Sequence, residues 1–197
     1  MALTTVKDEQ VNLITSKKEK YLPLAKLIYK NLPLRDRLKG KINVEYIEKG
    51  ITEETCYYHP FWTAQLLVIA SRKPFASKVS PQMVFVEGMT GYRGILTDVP
   101  YTKTETVEKE LLLAPHISTI NEVKKYVQDV QQNQINSMYM MKKPTYKLKK
   151  LELNYLPFWK VKVETPIVKS EMLLNVNTKE NEQYLLKRWK RGREKQG

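Results

Sequence analysis

The residues best suited to chemistry are the single cysteine and the two histidines of the chain, Cys56, His59 and His116. Cys56 and His59 are three positions apart, so a thiolate paired with a base is the first reaction centre to consider. Residues three apart on an extended strand point to opposite faces, which separates this pair. Three such ligands without a second cysteine also fall short of a structural zinc site. We therefore predict no metal, no cofactor and no catalytic residue, with a Cys/His enzyme kept as an alternative.

Other catalytic patterns are missing from the sequence. Its seven glycines form no G-x-G-x-x-G, G-x-S-x-G or phosphate-binding P-loop pattern. The paired carboxylates Glu53-Glu54 and Glu108 with Glu110 fall in predicted polar loops, where carboxylates are usually solvated. The sequence therefore predicts a non-enzymatic protein.

Positive charge is the strongest signal in the composition. The chain carries 34 Lys and Arg against 21 Asp and Glu, a formal charge of +13, and 15 of these basic residues lie in 142–197. Such a balance favours anionic partners: nucleic acid, an acidic protein face or an acidic lipid surface. The candidate partner-binding residues are Lys142, Lys143, Lys147, Lys149, Lys150, Lys187, Arg188, Lys190, Arg191 and Arg193.

The second group of these residues lies in a predicted basic amphipathic helix at the C-terminal end. A helix there places Lys187, Arg188 and Arg191 on one face, together with Lys195, and its apolar side chains on the other. Three interpretations are open: a solubilising tail, a nucleic-acid contact, or a contact with a membrane surface or an acidic protein.

A five-residue motif occurs twice, 97 positions apart. Tyr58, Pro60, Phe61 and Trp62 recur as Tyr155, Pro157, Phe158 and Trp159, with only the second position of the motif different. Repetition of such uncommon residues favours an internal duplication. A proline without an amide donor is expected at a sheet edge or bulge, with the aromatic rings between helix and sheet. A peptide-binding or base-stacking surface is the alternative role for these aromatics.

The hydrophobic pattern predicts an α+β fold of two related units, residues 1–100 and 101–197, each a helix packed on an antiparallel sheet. The residues before Tyr21 are polar and predict no element. Helices are expected at 21–32, from Ser118 or Thr119 with a capping box to Glu122, and after an Asn177–Glu180 cap. The expected strands and loops are strand 42–46, a strand at 55–70 interrupted at Pro60, a basic loop at 72–82, a hairpin around 88–91, a polar connector at 98–110, and a strand from Tyr146 with a bulge before Leu151.

The hairpin is also the residue pattern behind a family resemblance. Helix, long strands and an apolar strand entering a Thr-Gly turn, Val84-Phe85-Val86-Glu87-Gly88-Met89-Thr90-Gly91, resemble PepSY-like domains, which have a cystatin-like architecture. The second unit differs by having Asn177-Thr178-Lys179 in place of the Thr-Gly turn. The resemblance implies a non-catalytic binding or modulating module.

These features together predict a binding or adaptor protein whose basic surface docks an anionic macromolecule, either an acidic protein face or a nucleic acid. The alternative is a nucleic-acid-binding protein that grips phosphates with the C-terminal helix, and a peripheral contact with an anionic membrane stays open. No apolar run is long enough to span a bilayer, and Met1 to Gln10 lacks the apolar stretch of a secretory signal, so a cytoplasmic location is expected. The pattern gives no oligomeric state.

Overall fold

The computed structural model describes residues 8–16, 22–140 and 142–194, the last five of these by their backbone only. The fold is mixed α+β, with a large, mostly antiparallel sheet and a few helices. The strands are β1 (Asp8–Thr15), β2 (Ile51–Arg72), β3 (Phe75–Glu87), β4 (Arg93–Leu96), β5 (Tyr101–Glu108), β6 (Thr145–Glu164) and β7 (Lys169–Asn175). The α-helices are α1 (Leu24–Asn31), α2 (Leu34–Arg37), α3 (Val44–Lys49), α4 (Ile120–Val130) and α5 (Gln183–Glu194).

Seven strands form the sheet in the order β4-β3-β2-β6-β1-β5, and β7 pairs with β6 beyond Pro157. The chain divides into two compact units, each built from separate stretches of sequence. Unit 1 contains residues 1–14 and 59–155, and unit 2 contains residues 15–58 and 156–197. These spatial units do not coincide with the stretches 1–100 and 101–197 into which the repeated motif divides the chain.

Unit 1 is built around α4, which packs against β2 and β3. The helix begins at Thr119, whose side chain accepts a hydrogen bond from the amide of Glu122, as the capping spacing predicts. Its stripe of Val123, Val127 and Val130 is buried against Trp62 and neighbouring strand residues, whereas Ile120 is exposed. The predicted second helix is therefore confirmed, with a shorter buried stripe.

Unit 2 is built around α1 and α3, which pack against β6 and β7. Leu27 and Ile28 of α1 and Ile47 of α3 share a buried cluster with Val161, Val163 and Met172 of the two strands. The predicted helix at 21–32 is confirmed over Leu24–Asn31, and Tyr21 lies outside the described residues.

Several sequence-based expectations for individual elements are wrong. Residues 42–46 do not form a strand, because the Asn43 side chain accepts from the amide of Tyr46 and starts α3. Of the basic loop expected at 72–82, Arg72 ends β2 and residues 75–82 belong to β3, and the polar connector expected at 98–110 contains β5. The polar N-terminal stretch contains β1, and the last helix begins at Gln183, beyond the proposed Asn177–Glu180 cap.

Candidate anion-binding surface

The hairpin turn after β3 is organised by a buried hydrogen bond between two side chains of unit 1. His59 is 1% exposed, and its Nε2 lies 2.6 Å from Oε1 of Glu87. The Glu87 carboxylate also accepts hydrogen bonds from the amides of Met89 and Thr90, each at 2.7 Å, and from the Thr90 hydroxyl. One carboxylate therefore holds both the strand residue below the turn and the turn backbone.

The environment of Glu87 favours its charged form. Burial alone raises the pKa of its carboxyl group, but the hydrogen bonds from His59, Thr90 and Met89 outweigh that effect and leave the pKa below its ordinary value. Glu87 is therefore ionised at neutral pH and serves as a fixed acceptor in the turn. His116, the other histidine, is exposed, and its Nδ1 lies 3.1 Å from the carbonyl oxygen of Met89.

A turn of the same geometry follows β7 in unit 2. The Asn175 side chain accepts from the amides of Asn177 and Thr178, at the positions where Glu87 accepts from Met89 and Thr90. The amide of Lys179 donates to the carbonyl of Asn175, as Gly91 donates to Glu87. Lys179 and Gly91 have positive φ angles of 65° and 73°. The Asn177-Thr178-Lys179 segment therefore makes the turn that the sequence assigned only to the first hairpin.

The repeated aromatic motif has the same register in both hairpins. Phe61 pairs with Glu87, and Phe158 pairs with Asn175, so in each hairpin the motif phenylalanine faces the residue that caps the turn. The carbonyls of Pro60 and Pro157 accept from Gly88 and Val176, the residues that follow those caps.

Both motif tryptophans turn toward the helix of their unit. Trp62 is 7% exposed, and its indole donates to the carbonyl of Ile117 at 2.8 Å. Trp159 is partly buried beside the cluster that contains α1. Phe158 is buried against Leu173 and Leu186, whereas Phe61 stacks on Phe85. Trp62, Trp159 and Phe158 therefore lie between a helix and the sheet, whereas Phe61 contacts a neighbouring strand.

The motif prolines do not lie at the sheet edge, which was one of the two expected positions, the other being a bulge. Pro60 lies in β2 and Pro157 in β6, which are inner strands, and both strands continue without interruption. Tyr155 pairs with Leu13 of β1, whereas Phe158 begins the pairing with β7, so Pro157 stands where β6 changes its partner. A change of pairing partner is a position at which a residue without an amide donor can be accommodated.

The cysteine is poorly suited to nucleophilic chemistry. Burial raises the pKa of the Cys56 thiol to about 11, although hydrogen bonds with Tyr58 and with the backbone of Phe158 act in the opposite direction. The thiol is therefore protonated at neutral pH. Among the described residues, no group of three or more His, Cys, Asp or Glu side chains could hold a metal ion.

The predicted lysines of 142–150 lie together at the start of β6 in unit 1. The five lysines are exposed, and the amino groups of two of them contact neighbouring oxygen atoms. Lys143 donates to the carbonyls of Asn136 and Tyr139 at 3.0 and 2.9 Å, and Lys150 lies 2.8 Å from the carboxylate of Glu152. Lys142, Lys147 and Lys149 complete the group.

The β2–β3 hairpin has its tip at the same end of the sheet as these lysines. The carbonyl of Gly50 accepts from Glu164 at one end of β2, whereas Thr63, further along, bonds to Asn154, so neighbouring β2 and β6 run in opposite directions. The number of residues from Thr63 to the end of β2 at Arg72 equals the number from Asn154 back to the start of β6 at Thr145. The tip of the hairpin therefore lies beside Thr145.

This hairpin adds basic residues that the sequence pattern predicted to lie in a loop and that are absent from the predicted site. Arg72, Lys73 and Lys78 are exposed, and no acidic residue occurs in 66–82 or 136–151. The basic residues in 72–78 were the sequence signal that could have added this hairpin to the site. They lie near Lys147 only because β2 pairs with β6. We call the combined group the basic strand end: Arg72, Lys73, Lys78, Lys142, Lys143, Lys147, Lys149 and Lys150.

The C-terminal candidates belong to unit 2. In α5, Leu186 is buried against Phe158 and Leu173, while Lys187 and Arg188 are exposed. The Arg188 guanidinium lies 5.4 Å from the centre of the Tyr184 ring. The side chains of Lys190, Arg191 and Arg193, and the whole of Lys195, lie outside the described residues.

Unit 2 also contains a cavity of about 380 Å³. Leu22, Leu24, Leu27 and Trp159 give it an apolar wall, and Asn177 and Lys179 contribute polar groups. Among the predicted partner-binding residues whose side chains the structure describes, none lines this cavity.

No family model matches the chain, and no curated protein or solved structure matches it either. The resemblance to PepSY-like domains therefore stays a prediction. Within the described part of the chain, every helix is too short or too polar to cross a membrane.

Proposed function

We propose that the chain is a non-enzymatic binding protein that docks an anionic partner through the basic strand end of unit 1. The observation that supports this proposal is that two separate basic stretches, 72–78 and 142–150, lie at the same end of the sheet. Among the described residues of these stretches, only Lys150 has a carboxylate partner. A cluster of exposed positive charges without acidic partners attracts anionic surfaces.

The non-enzymatic part of the proposal is supported by the groups that could have done chemistry. The Cys56 thiol is protonated at neutral pH, and His59 is buried against Glu87. Nucleophilic catalysis needs an activated nucleophile within reach of an available base. Both groups are instead consistent with structural roles.

Retention on a sulfated polyanion resin tests the proposal. A variant with Lys73→Gln, Lys147→Gln and Lys149→Gln is expected to elute at lower salt than the wild type. The matched control neutralises Lys109, Lys124 and Lys125, which are exposed elsewhere in unit 1 and give the same net charge. Elution of both triple variants at the same salt concentration would show that total charge alone governs binding, and would contradict the proposal.

A second candidate, nucleic-acid binding through α5, is favoured by the exposed Lys187 and Arg188 opposite the buried Leu186. Each phosphate contact on a duplex contributes about 0.9 to the slope of log affinity against log salt. Replacing Lys187, Arg188, Lys190 and Arg191 with Ala is then expected to reduce both affinity and slope for labelled DNA or RNA. Unchanged binding by this variant would remove the candidate.

We also propose that the two motif copies arose by duplication, giving two related units along the chain. The shared register of Phe61 and Phe158 and the two turns with positive φ at their last residue support this interpretation. Each motif is preceded in sequence by a helix, α1 or α4, as a duplication requires.

A further inference from the structure

The basic strand end is accompanied by exposed apolar side chains. Phe75 at the tip of the β2–β3 hairpin is 77% exposed, and Val79 on the same hairpin is 54% exposed. On the other stretch, Met140 is 97% exposed, and Met138 and Leu148 are also exposed. Single exposed apolar residues are normal on a protein surface, but five of them on the two stretches that form the basic strand end point to an interaction surface.

We infer that this surface binds the anionic face of a lipid bilayer, with the lysines contacting headgroups and Phe75 entering the interface. The inference rests on the proposed function and specifies its partner. Lysine and arginine near an anionic membrane are attracted by its surface potential, and apolar side chains inserted beside them add a hydrophobic contribution.

The composition of the surface favours lipid over nucleic acid. Binding of single-stranded nucleic acid uses aromatic rings on which successive bases stack. Here Phe75 is the aromatic ring among the exposed apolar residues, and the others are aliphatic or methionine side chains. Aliphatic and methionine side chains gain little binding free energy from contact with phosphate groups, whereas insertion into a bilayer interface removes their apolar surface from water. Lysine also outnumbers arginine by seven to one in the basic strand end, and planar bidentate recognition of phosphates is a property of arginine.

Vesicle sedimentation at physiological salt tests the inference with the full chain. We expect the wild type to bind phosphatidylcholine vesicles containing phosphatidylserine and to leave pure phosphatidylcholine vesicles unbound. The variant with Lys73→Gln, Lys147→Gln and Lys149→Gln is expected to bind roughly 100-fold more weakly, since each basic residue near an anionic surface strengthens binding about fivefold. The variant with neutralised Lys109, Lys124 and Lys125 is the charge-matched control and is expected to bind within a few-fold of the wild type.

A second variant separates lipid from other anionic partners. Phe75→Ser is expected to weaken vesicle binding about tenfold because an inserted aromatic side chain is lost, while its elution from the polyanion resin stays unchanged. Val99→Ser, which changes another exposed apolar residue of unit 1, is the control and should bind like the wild type.

The outcomes distinguish the two levels of the argument. Resin elution that depends on Lys73, Lys147 and Lys149, with no vesicle binding or no effect of Phe75→Ser, would overturn the lipid inference and leave the proposed function intact. Tighter binding to an oligonucleotide than to the vesicles would do the same and assign the surface to nucleic acid. Loss of both lysine-dependent signals would overturn both proposals.

Discussion

Glu87 and Asn175 both cap a hairpin turn with their side chains, but the two side chains differ in chemistry. Each accepts hydrogen bonds from two successive turn amides, one with a carboxylate and the other with a side-chain amide. The carboxylate has His59 as a buried partner. The capping residue of the turn in unit 1 therefore carries a negative charge that Asn175 lacks, and the stability of this turn depends on the protonation of Glu87.

Glu87→Gln is expected to reduce the free energy of unfolding by about 1–3 kcal/mol at neutral pH, because it weakens buried hydrogen bonds to a charged group. The folded-state pKa of Glu87 lies below its unfolded value of 4.5. Its contribution is therefore fully present above about pH 4.5 and is lost as the pH falls through the folded-state pKa. Urea denaturation across this range should show the difference between wild type and variant shrinking below pH 4.5. Glu108→Gln, at an exposed position, is the control, and a difference that persists at low pH would contradict the assignment.

Cys56 should react slowly with alkylating reagents in the folded protein. With a pKa of about 11 against an ordinary value of 9.0, its thiolate is on the order of 100-fold scarcer near pH 7.5 than that of an unperturbed thiol. Iodoacetamide labelling followed by mass spectrometry is expected to show this difference between native and urea-unfolded protein. Rapid labelling of the native protein would revive the Cys/His enzyme alternative.

At the scale of elements, the two hairpin turns show what the backbone demands. Both need a residue with positive φ at their fifth position, and the chain supplies glycine in one case and lysine in the other. A non-glycine residue in the left-handed region is strained. Replacing Gly91 with a residue that has a Cβ should therefore destabilise the first turn, whereas replacing Lys179 with glycine should be tolerated in the second.

Gly91→Ala is expected to destabilise unit 1 by at least about 1–2 kcal/mol, the cost of a left-handed conformation for a residue with a Cβ. The added Cβ would also lie 2.8 Å from Cε1 of Tyr126, which leaves no room without movement of the ring. Thermal and urea unfolding measure the loss.

Lys179→Gly is the matched variant for the second turn, where the strain relieved is offset by the entropic cost of glycine, about 0.5–1 kcal/mol. Its free energy of unfolding is expected to stay within about 1 kcal/mol of the wild type. A loss as large as that of Gly91→Ala would show that the two turns are not alike.

Local signals predicted the elements that depend on them. The capping pair Thr119 and Glu122 and the valine stripe gave α4, and the Gly88–Gly91 turn gave the β3–β4 hairpin. Residues 72–82 and 101–108 were misassigned because polar strands at a solvated surface lack the alternation on which strand prediction rests. The basic strand end was only half predicted, since its two stretches meet through the pairing of β2 with β6, which no local pattern encodes.

At the scale of the whole molecule, α1 and α4 each pack with the strands of the other motif copy. The helix α1 precedes the first motif in sequence, yet it lies in unit 2 against β6 and β7. The helix α4 precedes the second motif and lies in unit 1 against β2 and β3. The first half of the chain therefore holds α1 without β6 and β7, and the second half holds α4 without β2 and β3.

This exchange predicts that residues 1–100 and 101–197 do not fold separately. Each fragment would expose the apolar face of its hairpin, including Trp62 or Trp159, and so lacks a closed core. We expect neither fragment alone to show a cooperative urea transition by near-ultraviolet circular dichroism, and their mixture to recover one.

The control is the intact chain with a protease site inserted between Thr97 and Pro100 and cut after folding, because both fragments are then present from the start and the cut lies outside any strand. We expect this nicked protein to keep its transition, since the packing of α1 on β6 and β7 and of α4 on β2 and β3 does not require the peptide bond between the halves. A cooperative transition in either isolated fragment would mean that a helix can pack on the hairpin of its own half. The exchange of helices would then be one of two available arrangements and would not be the source of the stability of the fold.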